Sequence, residues 1–99
     1  MAFSALPSTL YTLAVSNTAI AIPAANTPAN AKYAEGYVNT DAVRETRDGT
    51  APTSTKGNEW AVGSIIILRS HEEIVSFKAI RKTGDMSIDF QFYTDVPGR

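Results

Sequence analysis

The chain predicts an all-β fold, an antiparallel sandwich or barrel of about seven or eight short strands. Three observations carry that expectation. From Met86 to Phe92 apolar and polar residues alternate strictly, with Met86, Ile88, Phe90 and Phe92 on one face and Ser87, Asp89 and Gln91 on the other, the period of a strand with one buried side. Ser64-Ile65-Ile66-Ile67-Leu68-Arg69 is the most apolar run and is rich in β-branched residues, which predicts a strand covered on both faces. Turn-forming residues separate such runs at intervals of about 8–14 residues, and no stretch has the period of an amphipathic helix.

Ninety-nine residues make one domain and one core. Residues 1–8 read as an N-terminal arm, 9–94 as the β-domain and 95–99 as a C-terminal tail. In the arm, Phe3 and Leu6 are the large apolar groups, candidates for docking on a neighbouring subunit, and Pro7 stops any helix. Thr9–Val15 is rich in β-formers. After Ser16-Asn17, residues Thr18, Ile20 and Ile22 share a face opposite two alanines, again a period of two. A helix over 9–22 is the rival reading, opposed by Asn17 and Pro23. Pro23–Asn30 is a loop by composition. From Lys32 to Val38 the residues Tyr33, Glu35 and Tyr37 face one way and Ala34, Gly36 and Val38 the other, with Gly36 a candidate bulge.

Asn39-Thr40-Asp41 turns the chain into Ala42–Thr46. Next comes the strongest local signal, Arg47-Asp48-Gly49-Thr50-Ala51-Pro52. Gly49 supplies a positive φ, Asp48 bonds its own downstream backbone, and Pro52 keeps Ala51 extended. The polar run continues to Asn58, so Asp48, Gly49, Thr50 and Pro52 form the first corner of a long connection. Ser70-His71-Glu72-Glu73 reads as a polar connector. Ile74–Lys82 reads as a strand, with Val75, Phe77 and Ala79 on one face, and Thr83-Gly84-Asp85 as a turn.

The chemistry is sparse. The formal charge is −1 with scattered Lys and Arg, which gives no footprint for nucleic acid or an anionic membrane. There is no cysteine, so disulfides and thiolate metal sites are excluded. The N-terminus has no basic n-region, and Leu10–Ile22 is too polar and too short for a membrane span; a soluble protein made in the cytosol is expected. His71 is the single histidine and has no second metal-binding partner at motif spacing. Asp48 lacks the alternating acids of a calcium loop. No catalytic residues, metal or cofactor are expected. Tyr33, Tyr37 and Trp60 flank the central loop and are either core packing or an aromatic platform for a sugar or a protein partner.

Taken in order, Ala42-Val43-Arg44, Asp48-Gly49-Thr50 with Pro52-Thr53, Gly57, Val62-Gly63, Ser76–Arg81 and the last strand ending in Phe92-Tyr93 resemble small virion proteins of tailed bacteriophages. These are proteins that decorate or cement a capsid or sit in short fibres. The likeness spans residues 18–94. It implies a β-sandwich or jelly-roll-like module, commonly a homotrimer, without enzymatic activity. Its partner would be the major capsid protein or another virion protein, and its location the capsid surface of a virion made in the host cytoplasm. Glu45 departs from the pattern, which puts an aromatic or aliphatic residue there. Arg47–Thr53 alone is also similar to a turn in the immunoglobulin-like accessory domains of chitobiase-type glycoside hydrolases. A carbohydrate-binding or tail-associated module is the alternative function.

Overall fold

The computed structural model describes residues 5–94, and side chains from Leu10 onward. Eight strands lie in two four-stranded antiparallel sheets: β1 (Ala5–Val15), β2 (Ile20–Ala21), β3 (Tyr33–Asn39), β4 (Val43–Thr46), β5 (Asn58–Trp60), β6 (Ile65–Leu68), β7 (Lys78–Arg81) and β8 (Met86–Tyr93). The pairing is nested: β4 with β5, β3 with β6, β2 with β7, β1 with β8. The chain is therefore one long hairpin with β4 and β5 at its tip. Rolling that hairpin brings β8 beside β3 and β7 beside β4. The resulting orders, β1-β8-β3-β6 and β2-β7-β4-β5, are those of a jelly roll, the eight-stranded double Greek key.

The core lies where the inner faces meet. β8 buries Met86, Ile88, Phe90 and Phe92 as its alternation requires. Phe90 meets Phe77 edge-on at 5.3 Å and stacks with Phe92 at 6.2 Å, both favourable arrangements for the ring quadrupoles. Each of these side chains contributes roughly 1.5–3 kcal/mol of transfer free energy. The small face of β3 makes room for them. A Cβ on Gly36 would sit 2.7 Å from Phe90 Cε1 and 2.8 Å from Ile88 Cγ2. Gly36 is thus a packing glycine and not the bulge expected, since β3 and β8 stay in register from Tyr33 to Asn39. The register shift of this sheet lies in β1, between Ala5 and Leu10.

Four expectations are corrected. The Ile65–Leu68 run is an edge strand with one buried face: Ile66 and Leu68 are buried, whereas Ile65 is 47% exposed. Ile74–Lys82 does not form one strand. Residues His71–Ser76 are a short helix, α1, whose N-cap Ser70 Oγ accepts from Glu73 N at 3.1 Å, the first half of a capping box. Only Lys78–Arg81 is strand, so Val75 points to solvent while Phe77 and Ala79 are buried. The expected strand over 18–22 shrinks to two residues, with Ile22 buried and Ile20 partly exposed. Finally, β1 begins at Ala5, inside the stretch assigned to the arm. Phe3 lies outside the described residues, and Leu6 is placed on β1 by its backbone alone.

The central connection folds back over sheet β2-β7-β4-β5. Asp48 Oδ1 accepts from Thr50 N at 2.9 Å, and Gly49 has φ +87°. The same bond, which favours the ionised form, holds the Asp48 carboxyl below its ordinary range. Arg44, on the outer face of β4, donates to Ser54 O at 2.9 Å and to Gly57 O at 3.1 Å. Pro52 is buried beneath that loop, close to Gly57.

Candidate functional site

Two carboxylates organise the polar chemistry. Strand parity puts Glu35 on the outer face of β1-β8-β3-β6, because its neighbours Ala34 and Gly36 face the core. Three phenols converge on it. Tyr37 donates to Oε1 at 2.8 Å, Tyr33 to Oε2 at 3.2 Å, and Tyr93 to Oε1 at 3.5 Å. The β3–β8 register explains this: Tyr33 pairs with Tyr93, and their rings are 5.6 Å apart. The hydrogen bond to the anionic carboxylate, then burial, pushes the Tyr37 hydroxyl up to about 12. Burial first, then Glu35, raises Tyr33 and Tyr93 as well.

The rest of this face is unlike an ordinary protein surface. On β8 it carries Ser87, Asp89 and Gln91, and on β1 Leu10, Thr12 and Ala14. On β6 it carries Ile65 and Ile67, opposite Tyr37 and Glu35. Its strands contribute no Lys or Arg; Arg69 stands just past the end of β6. Asp89 accepts from Thr12 Oγ1 at 2.6 Å and Asn39 Nδ2 at 2.9 Å. Glu35 and Asp89 are therefore held by neutral donors, and among the described residues neither has a cation at ion-pair distance. Leu10 (63% exposed), Ile65 and Tyr37 (38%) add apolar area around them. Tyr37 and Ile65 are register partners, and Gly63 N–H donates to Val38 O beside them at 2.8 Å. That bond brings exposed Val62 to the same end of the sheet.

Glu45 is the opposite case. It sits on the inner face of β4 with no exposed surface. Trp60 Nε1 donates to Oε2 at 3.0 Å, Asn58 Nδ2 at 3.4 Å, and the Arg47 guanidinium closes an ion pair at 3.2 Å. Arg47 also donates to Ile67 O on edge strand β6 at 2.8 Å and approaches Glu73 of α1 at 3.6 Å. One cation thus ties β4 of one sheet to β6 of the other. An open cleft of about 340 Å³ lies against this network, lined by Glu45, Thr46, Arg47, Asp48, Gly57 and Asn58.

The sequence-derived aromatic set is consequently split. Tyr33 and Tyr37 lie on the outer face of one sheet. Trp60 is on β5 of the other, its indole packed on the core and its N–H given to Glu45. Asp48, Gly49 and Thr50 stay together at the loop corner, and Pro52 is packed inside. Glu35, Tyr93 and Arg47 escaped sequence reasoning. The parity that joined Glu35 to the two tyrosines was available; the register that adds Tyr93 was not. His71 donates through Nδ1 to Ala31 O at 2.9 Å, a structural bond. Among the described residues no group of three or more His, Cys, Asp or Glu is arranged to hold a metal ion, and no helix is long and apolar enough to cross a membrane. No family model, curated protein or solved structure matches the chain.

Proposed function

We propose that this chain is a non-enzymatic structural protein of a bacteriophage particle, one that decorates or cements the capsid by bridging coat subunits as a homotrimer. The observation that carries the reading is the nested strand pairing. It makes a jelly roll of the minimum eight strands, an architecture used by viral capsid and lectin domains among others. Because such a fold hosts many functions, the reading also leans on the ordered set of residues from Ala42 to Tyr93 that resembles phage virion proteins. The outer face bearing Glu35, Tyr37 and Ile65 supplies a surface of interface-like composition, aromatic and free of lysine on its strands.

The mechanism is stapling without covalent chemistry. A subunit that binds two coat proteins only in the assembled shell stabilises that shell by mass action, in proportion to the logarithm of its concentration over its dissociation constant. An interface of about 1,200–2,000 Å² is the scale required. Cryo-electron microscopy of particles with and without the protein tests the reading. Density for the jelly roll at fixed positions on the capsid, with loss of heat resistance in its absence, is the expected result. A chain that never sediments with particles refutes it. The carbohydrate reading has lost its three-residue platform, since Trp60 faces the core.

A further inference from the structure

We infer that the outer face of sheet β1-β8-β3-β6 is a docking surface for a second copy of this chain, which presents the outer face of its own sheet β2-β7-β4-β5. The basis is charge, which is unevenly distributed within a single molecule. The ion pairs among the described residues involve Glu45, Glu59, Glu73 and Asp85. Glu35 and Asp89 share one face and are satisfied by hydroxyl and amide donors, which fill their lone pairs without neutralising their charge.

The other sheet has the reverse excess. Register places Arg44, Lys78 and Glu59 on its outer face, with Arg44 largely covered by the central connection and Glu59 more open. Lys82 joins them through Glu59 at 2.7 Å, and Arg44 reaches the same carboxylate at 3.2 Å. Two cations share one anion there, which holds the Glu59 carboxyl below its ordinary range, with Lys82 the main cause. Lys78 adds a third positive charge, partly exposed, with no ion pair among the described residues. With Arg69 just past the end of β6 acting on Tyr33 of the same face, the outer face of Glu35 and Asp89 carries an excess of one negative charge, and the other an excess of two positive ones.

Two identical faces meeting about a two-fold axis would oppose Glu35 and Asp89 to their own copies, and like charges brought together cost several kcal/mol. Opposite faces meeting avoid that cost and give each carboxylate a cation. Around the charges, Leu10, Tyr37, Ile65 and Val62 provide the apolar area that association needs, all of it exposed in the single chain. A head-to-tail contact of this kind closes into a ring when its rotation permits. It would supply the trimer of the proposed function, and it rests on that reading for ring closure alone.

The test uses the full chain and two variants, Ile65→Lys on the acidic face and Lys78→Glu on the basic face, each first checked for an unchanged unfolding midpoint. In sedimentation equilibrium the wild type should self-associate, more weakly as salt is raised because the charged groups are screened. Each variant alone should associate at least about tenfold more weakly. The decisive step is mixing the two variants, one carrying a fluorescent label. A head-to-tail interface leaves one intact pair of faces in the mixture, so a labelled one-to-one complex forms and growth stops there. A wild type that is monomeric at concentrations of about 100 μM, or variants that form no mixed complex, overturns the inference. Capsid binding by a monomeric wild type would sink this inference and the trimer, and leave the capsid-decorating part of the proposed function standing; a head-to-tail oligomer that ignores particles would do the reverse.

Discussion

Glu35 and Glu45 are ten residues apart on consecutive strands, each the acceptor for several side-chain donors, and they do opposite work. Glu45 faces inward, is completely buried, and holds Arg47, Trp60 and Asn58 around it. Glu35 faces outward and holds three tyrosines and no cation. The difference is strand parity together with the neighbour two residues on. At 45 that neighbour is an arginine that follows the carboxylate inside; at 37 it is a tyrosine that stays on the surface. A buried carboxylate needs a counter-charge as well as hydrogen bonds to offset several kcal/mol of lost hydration. One on an open face needs only partners, and keeps its charge available to another molecule.

The largest expected effect comes from breaking the buried half of that pair. Arg47→Ala leaves Glu45 in the core without a cation and frees the Ile67 carbonyl, so unfolding in urea should show a loss of about 3–5 kcal/mol. Since a domain has about 5–15 kcal/mol in all, that is a large share of the total stability. A loss under about 1 kcal/mol would mean that the Glu45 network does not hold the two sheets together.

The next effect tests the two sides of β3 against each other. Gly36→Ala drives a methyl into Phe90 and Ile88, at approaches of 2.7 and 2.8 Å, and should cost about 1–3 kcal/mol by overpacking. Glu35→Gln, one residue away on the outer side, keeps the size and most of the hydrogen bonding. Its cost should stay below about 1 kcal/mol. Equal losses at the two positions, measured in the same denaturant series, would erase the inside–outside distinction between the two faces of β3.

The alternating strands were legible in the sequence because a period of two needs no knowledge of partners. β8 and β3 have the faces their patterns dictate, and Asp48-Gly49 makes the turn its chemistry dictates. The misreadings share a cause, which is long-range context. Four aliphatics at Ile65–Leu68 suit a two-sided strand, yet the topology puts them at an edge where Arg47 covers one carbonyl. Ser70-His71-Glu72-Glu73 holds the Ser-x-x-Glu start of a helix, a signal outweighed by the β-preference of the residues after it. Glu45 departs from the resemblance, which puts an apolar residue there and leaves the strand face in doubt. The position does face the core, and the missing fact was Arg47 two residues on, carrying the counter-charge to the same side. The Glu35 cluster was half visible from parity; Tyr93 arrives through a register spanning 58 residues, which no local pattern encodes.

The smallest effect is also the most specific to the outer carboxylate. The Tyr37 hydroxyl ionises at about 12 in the folded chain, chiefly because it donates to Glu35, whereas an unfolded tyrosine ionises near 10. The folded value is the higher one, so the unfolded state gives up its proton first as pH rises. Whatever stability this bond contributes is fully present below about pH 10 and declines between about 10 and 12. Tyr37 is more than a third exposed, and solvent screening keeps the amount modest. Spectroscopic titration of the phenols should show a late class of tyrosine ionising with the loss of native structure. In Glu35→Gln that class should move toward the ordinary value, because the anionic acceptor is gone while the ring stays in place. In Arg47→Ala, at a temperature where the chain is still folded, it should not move. A Tyr37 that titrates near 10 in the wild type would mean that Glu35 is engaged elsewhere, and the contrast between the two carboxylates would have to be rebuilt on burial alone.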